Sequence, residues 1–376
     1  MVKYIECYPE YQKFEEFIKC LIRILKLSCI PWKVLHGKGK YIFPIFELYC
    51  LISSVLSLVY FKKNLMVLLM RVIISFGYFQ IITKSLSVLV QANKFKILFE
   101  FIQELHEVHE TDSIVDFAKI HLLHLKKSLD ITKIILRILF AVSFITSSGL
   151  CFYSFHTDAI IMAIPGVLPD PNASPYYLHI HQVFCMEASL LVFSISDVIL
   201  ISTGFYLIAV LNIFQNLIEN FWKFEGSNKE VALIQLHKLH CNILDKFRTF
   251  SEIFYYTITV QTGTSAVFVL CIFFLMLSSD FAAFIPLCLL VFGQFGAICI
   301  FGELMYSKTE KLTTELYLTN WYEFGLKEQK ILLMMMHMSQ KIIGIKAAGM
   351  YDINLRMFID VIKGGISFLT ILYTIA

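Results

Sequence analysis

The chain has 376 residues, of which 57% are hydrophobic and 16% charged, with a formal net charge of +3. That is too apolar for a soluble protein of this length, and so small a charge excess gives no footing for nucleic acid. The apolar residues fall in blocks of roughly 20 to 30, the length an α-helix needs to cross a bilayer, so the sequence reads as an all-α, multi-spanning membrane protein.

Residues 1 to about 30 place Phe14, Phe17, Ile18, Leu21, Ile22 and Leu25 at helical spacing with lysines between them. This predicts an amphipathic helix at the interface or packed on the bundle. Charges run throughout the first twenty residues, without the short apolar core of a cleaved signal peptide. The first predicted span is Tyr41 to Phe61, closed by a turn at Lys62, Lys63 and Asn64, and the second is Leu65 to Val90. Residues 91–130 read as a polar helical segment, followed by a third span from Ile131 to Phe155.

Residues 156–182 differ in kind: they hold four of the eight prolines and no Lys or Arg. An ordered loop outside the bilayer is expected here, with Asn172 in an N-glycosylation sequon. The fourth span is Val183 to Phe214, and residues 219–252 are again polar and helical. A fifth span from Ile253 to Leu277 and a sixth from Phe281 to Met305 are joined by a short turn. Residues 307–350 are polar and then amphipathic, and the seventh span is Met357 to Ala376.

Loop charge sets the orientation. The segments before spans 1, 3, 5 and 7 carry 24 Lys and Arg, while the opposite side carries only Lys62 and Lys63. The N-terminus is therefore expected in the cytoplasm, and seven spans put the C-terminus and Asn172 outside. A G-protein-coupled receptor has the reverse orientation, so that class is disfavoured.

The last helix is charged at Asp352, Arg356, Asp360 and Lys363 and apolar beyond. Ile371, Thr374 and Ile375 share one face by spacing. Repeated around an axis, that face forms a constriction that gates by dewetting; alone, it is a packed terminal helix. In the outer halves of the other spans, Phe76, Tyr78 and Phe79, then Thr146, Gly149 and Tyr153, then Met186 and Leu190, then Phe281 and Phe284 offer the walls of an apolar cavity, or ordinary helix packing. Arg71, Lys84, Glu187 and Asp197 are ionisable residues inside spans. Arg71 and Glu187, both toward the outer side, are expected to pair.

The ten cysteines are scattered and read as small hydrophobes. His106 and His109 flank Glu107 and Val108 without forming HExxH, and His121/His124 and His237/His240 lie on mixed helices, so no metal or cofactor is expected. With no nucleophile elbow, P-loop or GxGxxG present, the chain is not expected to be an enzyme.

From Phe301 to Leu372 the chain resembles the insect odorant receptor family. The residues that carry the resemblance are Phe301-Gly302, Tyr317, Trp321-Tyr322, Lys330, Leu332-Leu333, Met336, Ser339-Gln340, Ala348-Gly349, Phe358 and Val361-Ile362-Lys363. The resemblance implies an odorant-gated, non-selective cation channel at the plasma membrane. An odorant-tuned subunit assembles with a co-receptor subunit in a tetramer around a pore lined by the last helix. It implies a ligand-sensing bundle over 1–218 and a cytoplasmic anchor with pore over 219–376. It places the odorant pocket at Ser75, Tyr78, Phe79, Thr146, Gly149, Tyr153, Met186, Leu190, Phe281 and Phe284, and the gate at Ile371 and Ile375 with Thr374 between. The sister gustatory receptors are the main alternative, but their terminal Thr-Tyr…Gln-Phe run is missing. A transporter is the other alternative, but repeated halves are not found.

Overall fold

A computed structural model describes residues 3–26, 39–60, 65–108, 115–167, 176–221, 229–275, 281–341 and 343–375. Asn172 and the Lys62–Asn64 turn lie outside these residues, as do the side chains of Phe281 and Ile375. The helices are α1 (Tyr8–Leu25), α2 (Ile42–Tyr60), α3 (Leu65–Val90), α4 (Ala92–Glu104), α5 (Val115–His156), α6 (Tyr176–Glu219), α7 (Lys229–Leu275), α8 (Phe281–Tyr317), α9 (Leu326–Ser339) and α10 (Leu355–Ile375). Two small antiparallel ladders complete the fold: β1 (Lys3–Tyr4) on β2 (Glu107–Val108), and β3 (Lys346–Ala347) on β4 (Tyr351–Asp352).

Among the described residues six helices, α2, α3, α5, α6, α7 and α8, are long and apolar enough to cross a membrane. This makes the chain a multi-pass helical membrane protein. The helix expected as the seventh span is α10, whose 21 residues measure about 32 Å at 1.5 Å per residue. It is not among those six, and Arg356, Asp360 and Lys363 occupy its first half.

The spans are longer than the sequence reading made them. At 42, 44, 47 and 37 residues, α5 to α8 measure roughly 55 to 70 Å. A bilayer core is about 30 Å. The polar segments read as separate helices are therefore largely continuations of the spans: α7 absorbs both 229–252 and the fifth span.

Helix α1 docks on the bundle through Tyr11, Phe14, Ile18, Leu21 and Leu25, spaced three and four apart. Phe17, assigned to this apolar stripe from spacing, points outward instead. Tyr11 stacks on His106 at 4.4 Å and meets Tyr206 of α6 edge-on at 5.5 Å. Beyond α5, the chain through residues 157–167 turns inward. Ile161, Met162 and Ala163 are fully buried, and Ser53 of α2 holds Ala163 through its carbonyl and its Oγ, at 3.1 and 2.5 Å.

At the other end, Ala348 and Gly349 both have positive φ, 52° and 72°, which suits the tight primed turn between β3 and β4. The strand end then passes so close to α8 that a Cβ on Gly302 would lie 2.1 Å from the Ile353 carbonyl oxygen. Two pairs that carry the resemblance, Phe301-Gly302 and Ala348-Gly349, are thus set by backbone geometry. Asn354 caps α10, accepting the Met357 N–H at 2.9 Å.

Candidate functional site

Helices α3, α5, α6 and α8, with Phe268 of α7, line a cavity of about 140 Å³. None of its lining residues is solvent-exposed. Its walls are mainly aliphatic and aromatic, and Gln80, Ser143, Thr146, Ser147, Ser189 and Gln294 contribute polar atoms. The side-chain nitrogen of Gln80 and the hydroxyl of Ser143 are buried and make no hydrogen bond. Buried donors are normally satisfied, so a bound molecule with an acceptor oxygen would complete this site.

Of the ten side chains expected at a ligand site, the fold brings four to this cavity: Tyr78, Thr146, Met186 and Leu190. The Tyr78 hydroxyl reaches out of the wall to Met162 Sδ at 3.3 Å, joining the cavity to the inward-turned loop. Thr146 Oγ1 lies 2.8 Å from the Val142 carbonyl and 3.0 Å from that of Pro286, which ties α5 to α8.

The others are placed differently. Ser75 faces α2, its Oγ lying 2.8 Å from the Arg71 carbonyl oxygen and 3.1 Å from Ser54 Oγ. Gly149 sits against Pro286. Tyr153 and Phe284 pack edge to face at 4.9 Å beside the cavity. Phe79 is 45% exposed on the outer surface of α3. Tyr78 and Phe79 are consecutive on a helix, about 100° apart, and of the two only Tyr78 lines the cavity. Sequence reasoning missed Gln80 and Ser143. The signal was a single amide in the apolar run Ile73 to Ile82, one turn before Lys84.

Below the cavity floor, Lys84 Nζ lies 2.5 Å from Asp197 Oδ1 and 4.2 Å from the Phe193 ring centroid. Gln294 donates to Asp197 Oδ2 at 3.2 Å. Both ions are almost wholly buried. The expected Arg71–Glu187 pair is not formed in this way. Arg71 donates from Nε and Nη2 to the Ile160 carbonyl, at 3.0 and 2.8 Å, and holds the loop after α5. Glu187 instead accepts from Ser147 Oγ at 2.8 Å. The two residues lie on helix faces that look at different neighbours.

At the end of the chain, Ile371 and Thr374 are exposed on α10. Among the described residues no group of three or more His, Cys, Asp or Glu is placed to hold a metal ion.

The architecture is that of a multi-pass helical receptor with an apolar cavity between its helices. Residues 64–365 match the family model described as 7tm Odorant receptor; the chain belongs to that family. Two solved structures of the insect olfactory receptor OR5 from Machilis hrabei share its fold. The complex with eugenol has a TM-score of 0.79 at 14% identity, covering 99% of this chain and 100% of that one. A second structure of the same receptor has a TM-score of 0.80 at 12% identity, with coverage of 99% and 100%. No curated protein matches the sequence.

Proposed function

We propose that this chain is the odorant-tuned subunit of a ligand-gated, non-selective cation channel in the plasma membrane. It has seven spans with α10 as the last, its N-terminus in the cytoplasm and its C-terminus outside. Residues 1–218 provide most of the sensing bundle, and 219–376 the anchor and pore. A co-receptor subunit completes a tetramer, with α10 of each chain around the axis and Ile371, Thr374 and Ile375 at the constriction.

The observation that carries the ligand reading is the 140 Å³ cavity with the unpartnered Gln80 nitrogen in its wall. A cavity of about 150 Å³ admits a molecule the size of benzene. The favoured ligand is therefore a small volatile with a ring-sized apolar body and one acceptor oxygen for Gln80. Dispersion contacts supply most of the affinity, and one hydrogen bond supplies the selection. Tyr78, Thr146, Met186 and Leu190 shape the space, and eugenol, present in one of the related structures, is a natural first compound.

The test is current recorded from cells expressing the chain with a co-receptor across a panel of volatiles. A ligand-dependent cation current is expected, and Gln80→Leu should raise the half-maximal concentration of oxygenated ligands by about three- to tenfold, the worth of one neutral hydrogen bond. Hydrocarbon ligands of the same shape should be unaffected. Surface-expressed protein with no ligand-dependent current over the whole panel would overturn the channel reading. An N-terminal tag reactive on intact cells would overturn the orientation.

A further inference from the structure

A second cavity, of about 310 Å³, lies beside the first between α5, α6 and α8, with Gln261 of α7 at its back. The two share Phe193, Leu290 and Gln294 as a common wall. It opens sideways. Ile138, Leu289 and Ile300 at its rim are at least half exposed, and Gly293 and Ala297, also exposed, leave the mouth unobstructed. The mouth lies within three of the helices apolar enough to cross a membrane, so it faces hydrocarbon.

Gln261 sets the chemistry. It is 1% exposed, lines the cavity and leaves its side-chain oxygen without a hydrogen-bond partner. An acyl chain lying in the cleft would cover the apolar walls but would leave that acceptor unpaired, which is costly in a dry site. Beside it, both oxygens of Asp197 are already taken, by Lys84 and Gln294, so the Gln261 oxygen is the open acceptor of the cleft. The cleft therefore presents a spare acceptor where the first cavity presents a spare donor.

We propose that this cleft is a second binding site, taking a membrane-dissolved amphiphile with one hydroxyl donor on an unbranched apolar chain, such as a long-chain alcohol. The hydroxyl donates to the Gln261 side-chain oxygen, and the chain lies between α5 and α8 and leaves through the mouth at Ala297. The shared wall makes this site a neighbour of the volatile's cavity, but the assignment does not depend on channel function.

The test uses the full chain in lipid nanodiscs and a diazirine analogue of 1-decanol as the photoprobe, with labelled residues mapped by mass spectrometry. Label is expected on the facing segments of α5 and α8 around Ile138 and Ala297. Unlabelled 1-decanol should compete about tenfold better than decyl methyl ether, which lacks the donor, since tenfold corresponds to one well-made hydrogen bond. In Gln261→Leu the alcohol and the ether should compete equally, and Ala297→Trp, which fills the mouth, should abolish labelling. Equal competition by alcohol and ether in the unaltered protein would overturn the proposal, as would label that Ala297→Trp leaves in place. The unaltered-protein comparison decides the matter even where a variant fails to fold.

Discussion

Lys84 and Asp197 are 113 positions apart and meet at 2.5 Å in the interior. Two desolvated ions are tolerable only as a pair with their remaining sites occupied. Gln294 and the Phe193 ring serve that purpose. Lys84→Met is expected to destabilise the protein by about 3–5 kcal/mol, because it leaves the carboxylate buried alone. The double variant Lys84→Met/Asp197→Leu should recover most of that loss. Thermal unfolding in detergent measures both, and simply additive losses would show that the residues are not coupled. The sequence marks both residues as unusual inside spans but does not say which ions meet. Partner choice depends on the rotation of α3 against α6, which the hydrophobic period of a nearly all-apolar helix does not record. The expected Arg71–Glu187 pair fails for the same reason. Outside the spans, His106 is buried, its Nδ1 donating to the Ile102 carbonyl at 2.8 Å, and burial pushes its pKa down to about 4. The folded state thus binds its proton less readily than the unfolded chain, whose value is 6.5. Its packing is fully stable above about pH 6.5 and loses up to about 1.4 kcal/mol per pH unit as pH falls toward 4. Hydrogen-exchange protection factors in α1, which stacks Tyr11 on His106, should fall between pH 7.5 and 5, and His106→Gln should remove that pH dependence.

At the scale of elements, α10 shows how a local sequence cue acquires its meaning from a neighbour. Gly364 and Gly365 read as a loosening of the helix. In the fold they differ. A Cβ on Gly364 meets nothing within 4 Å, whereas one on Gly365 would lie 2.4 Å from Phe273 Cδ2 and 3.3 Å from Val269 Cγ1. Gly365 is the point where α10 is drawn onto α7. Gly364→Ala should leave stability unchanged or raise it by about 0.5–1 kcal/mol. Gly365→Ala should cost about 1–3 kcal/mol by overpacking, and Phe273→Leu in the same chain should relieve it. Equal effects at the two glycines, read as midpoints of thermal unfolding, would sink this assignment. The elements themselves were largely legible: each described apolar block became a helix, and α1 kept its stripe. Their lengths were not, because hydropathy reports where lipid ends, whereas the backbone hydrogen-bond ladder continues past it. The cavity was legible by helix and only partly by residue. Thr146 and Tyr78 fell on inward faces by spacing, while Phe79 drew attention by being aromatic, and Gln80, which faces the cavity, did not.

For the whole molecule, the fold leaves apolar surface on α9, which is not one of the six helices long and apolar enough to cross a membrane. Helix α9 lies beyond the apolar part of α8, among Lys327, Lys330 and Lys341. It packs inward through Leu332, Met335 and Ser339, and Thr313 meets Ser339 at 3.0 Å. Its opposite face also carries apolar side chains among the charges: Leu326 is 78% exposed and Leu333 66%, with Met334 beside it and Leu318 and Tyr322 just before. Large exposed apolar side chains clustered on one helix face mark a contact surface. In the single chain α10 is also uncovered, along Ile359, Ile366 and Ile371. Assembly around an axis would cover both, with α9 joining subunits in the aqueous region and α10 closing the centre. The joint substitution Leu333→Asp/Met334→Asp is therefore expected to shift the protein from oligomer to monomer by native mass spectrometry in mild detergent. Helix content should stay unchanged, and the unfolding midpoint of the isolated subunit should move little, since exposed substitutions usually change stability by no more than about 0.5 kcal/mol. The same change at Met350 and Tyr351, which are equally exposed but carried on the β3–β4 turn, separates assembly through α9 from a general effect of added charge. If the α9 variant keeps its oligomeric state while the turn variant loses it, the subunits join through the hairpin, and α10 is brought to the axis by β4 and the Asn354 cap.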